Sequence, residues 1–397
     1  MEKLQSSEYI DVGVELESLR LQLSQLKFAA KARLELQKVV YSAYPRDEIS
    51  SDVSSDPHTK DSIDYIWDAP RDTRYAHEVA GFENVLYVFH KHWEGIRAAC
   101  GSLPGRKLAL TDALLSPEKI FRLVEEIISA SPSRIVFHGV SQNTGLLCRA
   151  LSSQGLAEIV SIVFHGSLSQ WCNEPERRLA FLAIDLKAGG HVGALHFMKA
   201  GIEIPGVNLH YPMLFNLSPR LESLGLPIIQ RPEQTTAFIP GWGSWIKNVY
   251  NSALGAALNE DVQRVVHFAS NLELPLMAGN KLEKVVFKSR EDTFLQYATS
   301  TFAMNVSLTD CHPMVNVESQ TLGRPCIRSN LFLDALEEHP YLKVTTVENP
   351  NSPVAIRETI TRLLKVPSDE AGALAADYQS ETDKVGISRY KEFLKLG

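Results

Sequence analysis

Short apolar runs alternate with amphipathic, helix-like stretches along most of this chain of 397 residues. In the first half, candidate strands lie at 85–89, 135–137, 159–164, 192–198 and 207–214, and candidate helices lie at 117–130 and 143–153. Such alternation is typical of β-α-β units, which build a parallel sheet with helices on both faces. Turn residues at 218–227 then indicate a domain boundary.

The second half repeats this alternation. Here candidate strands lie at 235–242, 264–270, 284–289, 302–309 and 324–330, and candidate helices lie at 246–259, 293–300 and 317–322. The pattern predicts an α/β chain with two Rossmann-like, doubly wound domains at 63–225 and 226–375, and a C-terminal helix at 376–397 that can cross back to the N-terminal domain. Because no G-x-G-x-x-G fingerprint is present, a nicotinamide enzyme is disfavoured and another ligand is expected in the cleft between the domains.

Residues 1–62 are predicted to form an N-terminal helix and a linker. Apolar side chains recur three and four positions apart among polar ones, at Leu16, Leu19, Leu23, Leu26 and Ala30. This is the spacing of an amphipathic helix, whereas residues 46–62 are rich in Ser and Asp without periodicity. The helix either packs on its own protein or mediates a homodimer or a contact with a partner protein, and the spacing leaves both open.

Composition and charge exclude several classes of protein. Apolar residues make up 44% and charged residues 22% of the chain, as in a folded globular protein. The formal net charge of −7 disfavours nucleic acid as a partner. No apolar stretch approaches the roughly 20 residues that cross a bilayer, and the acidic first residues differ from a signal peptide. We therefore expect a cytoplasmic protein without a transmembrane segment, with peripheral attachment at the inner membrane face left open.

The segment 307–330 carries the clearest candidate chemistry. A strand is predicted to end at Thr309, a turn carries Asp310 and His312, and Glu318 opens a helix that ends at Gly323. Both carboxylates then lie at the carboxyl edge of the sheet, where they can accept hydrogen bonds from vicinal hydroxyls while helix N–H groups face an anion. Alternatively, Glu318 caps the helix and Asp310 ends the strand.

The segment 238–250 predicts a second element of the same site: a strand, a glycine-rich turn and a helix. Gly241 and Gly243 allow close approach of a ligand to the backbone, and Lys247 adds a point charge in the first helical turn. This pattern is typical of phosphate binding. The alternative is an ordinary glycine turn beside a solvated lysine.

Together the two segments resemble the C-terminal domain of GT-B glycosyltransferases, in particular the large retaining family marked by Glu-x7-Glu. The resemblance implies that Glu318 binds the nucleotide ribose, Asp310 the transferred sugar and Lys247 the diphosphate. The implied nucleotide-sugar site comprises Gly241, Trp242, Gly243, Lys247, His312, Met314, Val315, Asn316 and Glu318. Removing the Glu318 carboxylate should then weaken nucleotide binding by about 1–3 kcal/mol, and we expect little effect on stability.

The sequence departs from the family pattern at three points. Asp310 stands in place of the proximal Glu, Trp242 stands where the family has Arg, and Cys311-His312-Pro313 replaces Pro-Phe-Gly. The missing Arg requires another cation, for which Lys281, Lys284 and Arg290 are the candidates. A non-catalytic homologue is therefore one alternative.

In the N-terminal half, the segment 164–171 places His165 and Gly166 at the end of a strand, and His138 and Gly139 occupy an equivalent position. In the resembled enzymes, residues at the end of that strand face the donor sugar and the acceptor, so Lys247, Asp310 and His165 form the implied catalytic set. The alternative for each histidine is a satisfied turn or core position.

The resulting hypothesis is a hexosyltransferase-type enzyme that moves a sugar from a nucleoside diphosphate sugar to a saccharide-type acceptor in glycan or polysaccharide biosynthesis. The resemblance implies retention of configuration and no cofactor beyond the nucleotide-sugar donor substrate. No Asp-x-Asp triplet follows a strand, so we expect no metal site, with lysine and helix dipoles stabilising the leaving diphosphate. The alternatives are a sugar-nucleotide epimerase and a non-catalytic GT-B-like scaffold.

Overall fold

The computed structural model describes the chain from residue 76 to 396 with short gaps. The described residues are 31, 34, 38, 76–111, 113–199, 202, 204, 206, 207, 212–223, 226, 232–241, 243–269, 272–275, 280–287 and 289–396. The predicted helix at 16–30, the linker at 46–62 and Trp242 lie outside these residues, so the predictions on them stay predictions.

The first sheet contains five parallel strands in the order β2-β1-β3-β4-β5. The strands are β1 Val85–His90, β2 Arg106–Leu110, β3 Arg134–His138, β4 Val160–Phe164 and β5 Ala194–Phe197. The helices of this half are α1 Glu94–Ser102, α2 Pro117–Ser129, α3 Gln142–Ser153 and α4 Glu174–Ala188. All six residues of β1 are buried, as expected for a parallel strand covered on both faces.

The second sheet contains six parallel strands in the order β11-β10-β9-β6-β7-β8. These strands are β6 Thr236–Ile239, β7 Arg264–His267, β8 Leu282–Lys284, β9 Phe302–Asn305, β10 Cys326–Ser329 and β11 Thr346–Val347. The helices are α5 Val249–Ala257, α6 Arg290–Thr299, α7 Met314–Thr321, α8 Pro340–Thr345, α9 Pro353–Leu364 and α10 Ser368–Leu394.

Helix α2 shows how the sequence specifies these elements. Ser116 accepts a hydrogen bond from the Lys119 backbone N–H at the helix start, and proline occupies the first turn, where its missing N–H costs no hydrogen bond. Ile120, Val124 and Ile127 recur at helical spacing and are buried in the core under the first sheet. The polar face of α2 is left to solvent.

Helix α10 connects the two halves of the molecule. It runs without interruption for 27 residues, and the predicted domain boundary at residue 375 falls inside it. Tyr390 and Leu394 join a core cluster with Val85 of the first sheet, and the Arg134 side chain donates a 2.6 Å hydrogen bond to the Leu394 carbonyl. The C-terminal end of α10 thus packs against the first sheet.

Several predicted element bounds differ from the structure. Strand β9 ends at Asn305, four residues before the predicted end, and α7 begins at Met314, so Glu318 lies in its second turn and does not open it. Pro313 precedes the helix as its N-cap residue, with an extended backbone at φ −71° and ψ 137°, and it favours an extended conformation in the residue before it, so the chain becomes helical only from Met314. The described part of the predicted strand 207–214 lies outside any strand.

Candidate functional site

The loop that follows β9 meets the end of β4 across the cleft between the two sheets. The Thr309 hydroxyl donates a 2.8 Å hydrogen bond to the Ser167 hydroxyl, and the Cys311 thiol donates a 3.1 Å hydrogen bond to the His165 carbonyl. Because parallel strands bring their carboxyl ends to one edge, both sheets direct their loops into this cleft. The predicted site residues of both halves therefore lie close together.

Lys247 is held by a short, tightly anchored turn. It is the last residue of the 3-10 turn Trp245–Lys247, which precedes α5. The prediction that Lys247 lies in the first turn of a helix starting at residue 246 is therefore wrong. The next residue, Asn248, takes a left-handed conformation with φ of 50°, which asparagine tolerates better than most residues. Its side-chain amide donates to the carbonyls of Val306, at 3.0 Å, and Pro350, at 2.6 Å. The Lys247 backbone is thereby fixed at the carboxyl edge of the second sheet.

Lys247 and Asp310 form an ion pair, although 62 residues separate them in the chain. The Lys247 Nζ and Asp310 Oδ2 atoms are 2.7 Å apart, and their side chains are 22% and 16% exposed. The other carboxylate oxygen of Asp310 accepts a 3.0 Å hydrogen bond from the Cys311 backbone N–H. The structure therefore brings two members of the implied catalytic set into direct contact, with both side chains reachable from the cleft.

His165 is close enough to Asp310 to feel its charge, and it contacts a second histidine. Its Nε2 is 2.9 Å from Nδ1 of His138, so one imidazole donates to the other. Burial lowers the pKa of His165 to about 4, against a smaller opposing effect of Asp310, and burial also lowers the pKa of His138. Both rings are therefore neutral at pH 7, and His165 offers the cleft a neutral imidazole.

Glu318 is buried and engaged by protein groups. Its Oε1 accepts a 3.2 Å hydrogen bond from Arg290 Nη2, and Tyr297 also hydrogen-bonds to the carboxylate. Burial raises the pKa of Glu318, and Arg290 opposes that effect. Of the three proposed substitutes for the missing Arg, Arg290 is the one that contacts a predicted site residue.

The other two substitutes lie elsewhere. The Lys281 ammonium donates a 2.8 Å hydrogen bond to the Asn259 carbonyl, and Lys284 lies exposed on the edge strand β8. Neither has a described contact with Lys247, Asp310 or Glu318.

The side chains of the predicted loop residues are largely occupied within the fold. His312 is 2% exposed and its Nδ1 accepts a 2.9 Å hydrogen bond from the Asn216 backbone N–H. Met314 packs into a small core with Ala99, Val315 is half-buried against a core cluster, and Asn316 is 1% exposed. A ligand would therefore meet residues 312–316 mainly through their backbone groups.

The two glycines of the β6 turn differ from each other. A side chain at Gly241 would lie 2.9 Å from the Val249 side chain, so this glycine permits the turn to pack on α5. A side chain at Gly243 would meet no atom within 4 Å, which leaves open space over the turn. Gly243 is thus the position at which a ligand can approach the backbone.

Two cations of the cleft were missed by the sequence analysis. Lys199 follows β5, and its ammonium donates a 2.6 Å hydrogen bond to the Leu331 carbonyl. Leu331 lies just after β10, at the carboxyl end of the strands of the second sheet. Arg328, on β10, is 3% exposed and donates a 3.2 Å hydrogen bond to the Tyr378 hydroxyl. The position of Lys199 just beyond a buried strand was a usable signal, because side chains at that edge face the cleft.

Within the part of the chain that the structure describes, no three His, Cys, Asp or Glu side chains are arranged to hold a metal ion. Among the same residues, no helix has the length and apolarity that a membrane span requires.

Two parallel, helix-covered sheets that face one cleft define a GT-B fold, and solved structures of that class superpose on the chain. One is a trehalose-6-phosphate protein from E. coli bound with UDP-2-fluoro glucose, with 10% identity and a TM-score of 0.51 over 79% of this chain and 98% of that one. Another is a UDP-forming alpha,alpha-trehalose-phosphate synthase from Burkholderia xenovorans in complex with glucose-6-phosphate, with 12% identity and a TM-score of 0.50 over 78% of this chain and 100% of that one.

A third is a trehalose-6-phosphate synthase, with 10% identity and a TM-score of 0.51 over 79% of this chain and 99% of that one. Neither a protein-family model nor a curated protein matches the sequence. The likeness confirms the predicted α/β, GT-B fold with two Rossmann-like domains.

The buried His312 yields a prediction about acid stability. Burial lowers its pKa to about 3 in the folded protein, whereas its value in the unfolded chain is about 6.5. As the pH falls below about 6.5, the unfolded chain therefore gains a proton that the folded protein excludes. The free energy of unfolding then decreases as the pH decreases. In His312→Asn an amide oxygen can replace Nδ1 as the acceptor for Asn216, without titrating.

Between pH 7 and pH 5, wild type should therefore lose about 2 kcal/mol more unfolding free energy than His312→Asn. Urea unfolding at a series of pH values measures the difference, and other titrating groups cancel because both proteins carry them. Parallel pH profiles for the two proteins would contradict the assignment of a neutral, buried His312.

Proposed function

We propose that this protein is a glycosyltransferase that uses a nucleoside diphosphate sugar as donor and a saccharide as acceptor. The observation that carries the proposal is the Lys247–Asp310 ion pair, 2.7 Å long, at the cleft edge of a GT-B fold. A preorganised cation at this edge can stabilise the charge that develops on a departing diphosphate. The adjoining carboxylate can accept hydrogen bonds from sugar hydroxyls.

The three predicted catalytic residues, together with Gly243 and Glu318, have places in this proposal. The donor diphosphate lies beside Lys247 and the open turn at Gly243, the transferred sugar lies beside Asp310, and the nucleotide ribose lies toward Glu318. The neutral imidazole of His165 borders the sugar from the first sheet. Holding donor and acceptor in one geometry removes the entropic cost of their encounter, and Lys247 then acts mainly in the transition state.

The reaction class is proposed as retaining hexosyl transfer in glycan or polysaccharide biosynthesis. This finer assignment rests on the likeness of the two second-domain segments to the Glu-x7-Glu family. The solved structures of like fold carry UDP-2-fluoro glucose and glucose-6-phosphate, which makes UDP-glucose and sugar phosphates the first donor and acceptor to examine.

A donor screen followed by product analysis tests the proposal. UDP, GDP, dTDP and their sugars are titrated in a thermal-shift assay, because a ligand that binds the native state raises its melting temperature. The donor that binds is then incubated with a saccharide and sugar-phosphate panel, and NMR of the product reports the anomeric configuration. A sugar-transfer product is expected, with the donor's configuration retained.

The same assay separates the alternatives. An epimerised sugar with no transfer to acceptor would favour a sugar-nucleotide epimerase. Binding without any turnover, or no binding across the panel, would favour a non-catalytic scaffold. Repeating the reaction in excess EDTA should leave the rate unchanged, since lysine and helix dipoles carry the charge stabilisation in this proposal. A strict requirement for added divalent ion would contradict that part of it.

A further inference from the structure

Lys199 reaches from the first sheet to the second across the cleft. Its ammonium donates a 2.6 Å hydrogen bond to the Leu331 carbonyl, just after β10. Its backbone N–H donates a hydrogen bond to the sulfur of Cys311, which belongs to the loop that carries Asp310. The side chain is half-buried, so it keeps access to the cleft. Lys199 is therefore attached to the candidate site at two points.

The charges around Asp310 are unbalanced. Lys247 contacts this carboxylate at 2.7 Å, and the charges of Asp310 and Arg328 both act on Lys199. Arg328 is nearly fully buried, and its described hydrogen-bond partners are a phenol and a carbonyl, both neutral. His165 and His312 add no charge at neutral pH, because burial keeps both imidazoles neutral.

Neighbouring carboxylates are already engaged by other cations. Asp334 contacts Arg389, and Glu318 contacts Arg290. Among the described residues of this region, three cations, Lys199, Lys247 and Arg328, therefore share one carboxylate, that of Asp310. Buried or half-buried charge is stable when it is compensated, so the arrangement calls for an anionic ligand.

We propose that Lys199 and Lys247, one from each domain, form a shared binding site for a phosphoryl group of the ligand in the cleft, with Arg328 adding positive charge behind it. In this arrangement Lys199 supplies a second cation beside Lys247, because the described residues of the turn after β6 contain no other Lys or Arg. The ligand class is a phosphate or diphosphate ester. Its source is either the diphosphate of the donor or the phosphate of a phosphorylated acceptor, and the inference rests on the proposed function for that identity.

Calorimetric titration of the full-length protein tests the site with three probes: inorganic pyrophosphate and UDP for the donor source, and glucose-6-phosphate for the acceptor source. Lys199→Met is expected to weaken at least one probe about tenfold, while Lys199→Arg retains most of the affinity. Lys343→Met is the matched control, since Lys343 lies exposed on α8. Its affinities should equal those of wild type. The probe that weakens identifies the source.

A labelling experiment on wild type avoids dependence on the folding of a variant. Pyrophosphate or glucose-6-phosphate should protect Lys199 and Lys247, but not Lys343, from an amine-reactive acetylating reagent, as read by mass spectrometry. Equal labelling of Lys199 with and without every probe, or unchanged affinities in Lys199→Met, would overturn the inference.

The outcomes for this site and for the proposed function are distinguishable. Nucleotide-sugar turnover that is equal in wild type and folded Lys199→Met, with unchanged acceptor affinity, would overturn the inference alone. Lys199-dependent pyrophosphate binding in a protein that binds no nucleotide sugar would overturn the proposed function alone.

Discussion

Lys247→Met is expected to lower kcat about a hundredfold, the scale on which one preorganised charge-stabilising group acts in a transition state. Lys247 contacts Asp310 at 2.7 Å and keeps 22% of its side chain exposed toward the cleft, so it is both oriented and accessible. A charge that develops as the diphosphate departs is stabilised more than the bound donor is. KM for the acceptor should therefore change little while kcat falls.

Steady-state kinetics with the donor identified by the screen measure this effect, and circular dichroism confirms folding. Lys343→Met serves again as the control that removes an exposed ammonium from the same half of the chain. A purely structural Lys247–Asp310 pair makes a different forecast, because a partly exposed ion pair contributes about 0–1 kcal/mol to stability and nothing to turnover. Near wild-type kcat in the folded variant would remove Lys247 from the site.

The two-domain fold followed from the sequence because strands buried on both faces leave continuous apolar runs. The five strands of the first sheet include the runs at 85–89, 135–137 and 159–164. One strand of that sheet, β2, was missed, since Arg106 and Lys107 interrupt its apolar pattern. The Lys107 side chain is nonetheless buried, held by hydrogen bonds to the Leu103 and Gly105 carbonyls. Tertiary contacts of that kind cannot be read from periodicity.

The proximity of Lys247 and Asp310 also followed from sequence, because parallel strands deliver their loops to one edge. The helix start at Met314 did not, since it depends on Pro313 and on loop contacts such as that of Asn216 with His312. Lys199 was missed for a related reason. Its relevance depends on how the edge of β5 faces the end of β10, which is a property of the assembled domains.

The environment of Glu318 corrects an expectation about stability. As a site residue at the start of a helix, it was expected to be removable at little cost. In the structure it lies in the second turn of α7, 7% exposed, with its carboxylate on Arg290 and Tyr297. A buried carboxylate with two protein partners contributes to the fold, whichever ligand it also serves.

Glu318→Ala is therefore expected to lower the free energy of unfolding by about 3–5 kcal/mol, the scale for breaking a buried ion pair by removing one partner. The side chains of Arg290 and Glu318 are 16% and 9% exposed, so solvent screens the pair weakly. Arg290 would lose its carboxylate while remaining packed over the Phe294 ring, 5.3 Å from its centre. Urea unfolding of wild type and variant measures the loss.

A double-mutant cycle shows whether the loss comes from breaking the Arg290–Glu318 ion pair. The double variant Arg290→Leu/Glu318→Leu should regain most of the free energy of unfolding that the single Glu318 variant loses, because apolar residues can replace a buried ion pair at little net cost. Independent, additive losses in the two single variants would contradict a coupled pair.

Glu318→Gln then separates the role in folding from the proposed role in nucleotide binding. The amide retains an acceptor for Arg290 and the shape of the side chain, so this variant should fold. A carboxylate that accepts ribose hydroxyls binds them more strongly than an amide does, because hydrogen bonds to a charged group are about twice as strong. The dissociation constant for the nucleotide, measured for both proteins under the same conditions, should therefore be about tenfold higher in Glu318→Gln than in wild type. If a folded Glu318→Gln protein bound the nucleotide with wild-type affinity, Glu318 would have a structural role alone. Its carboxylate would then serve only to hold α7 against α6 through the contact with Arg290.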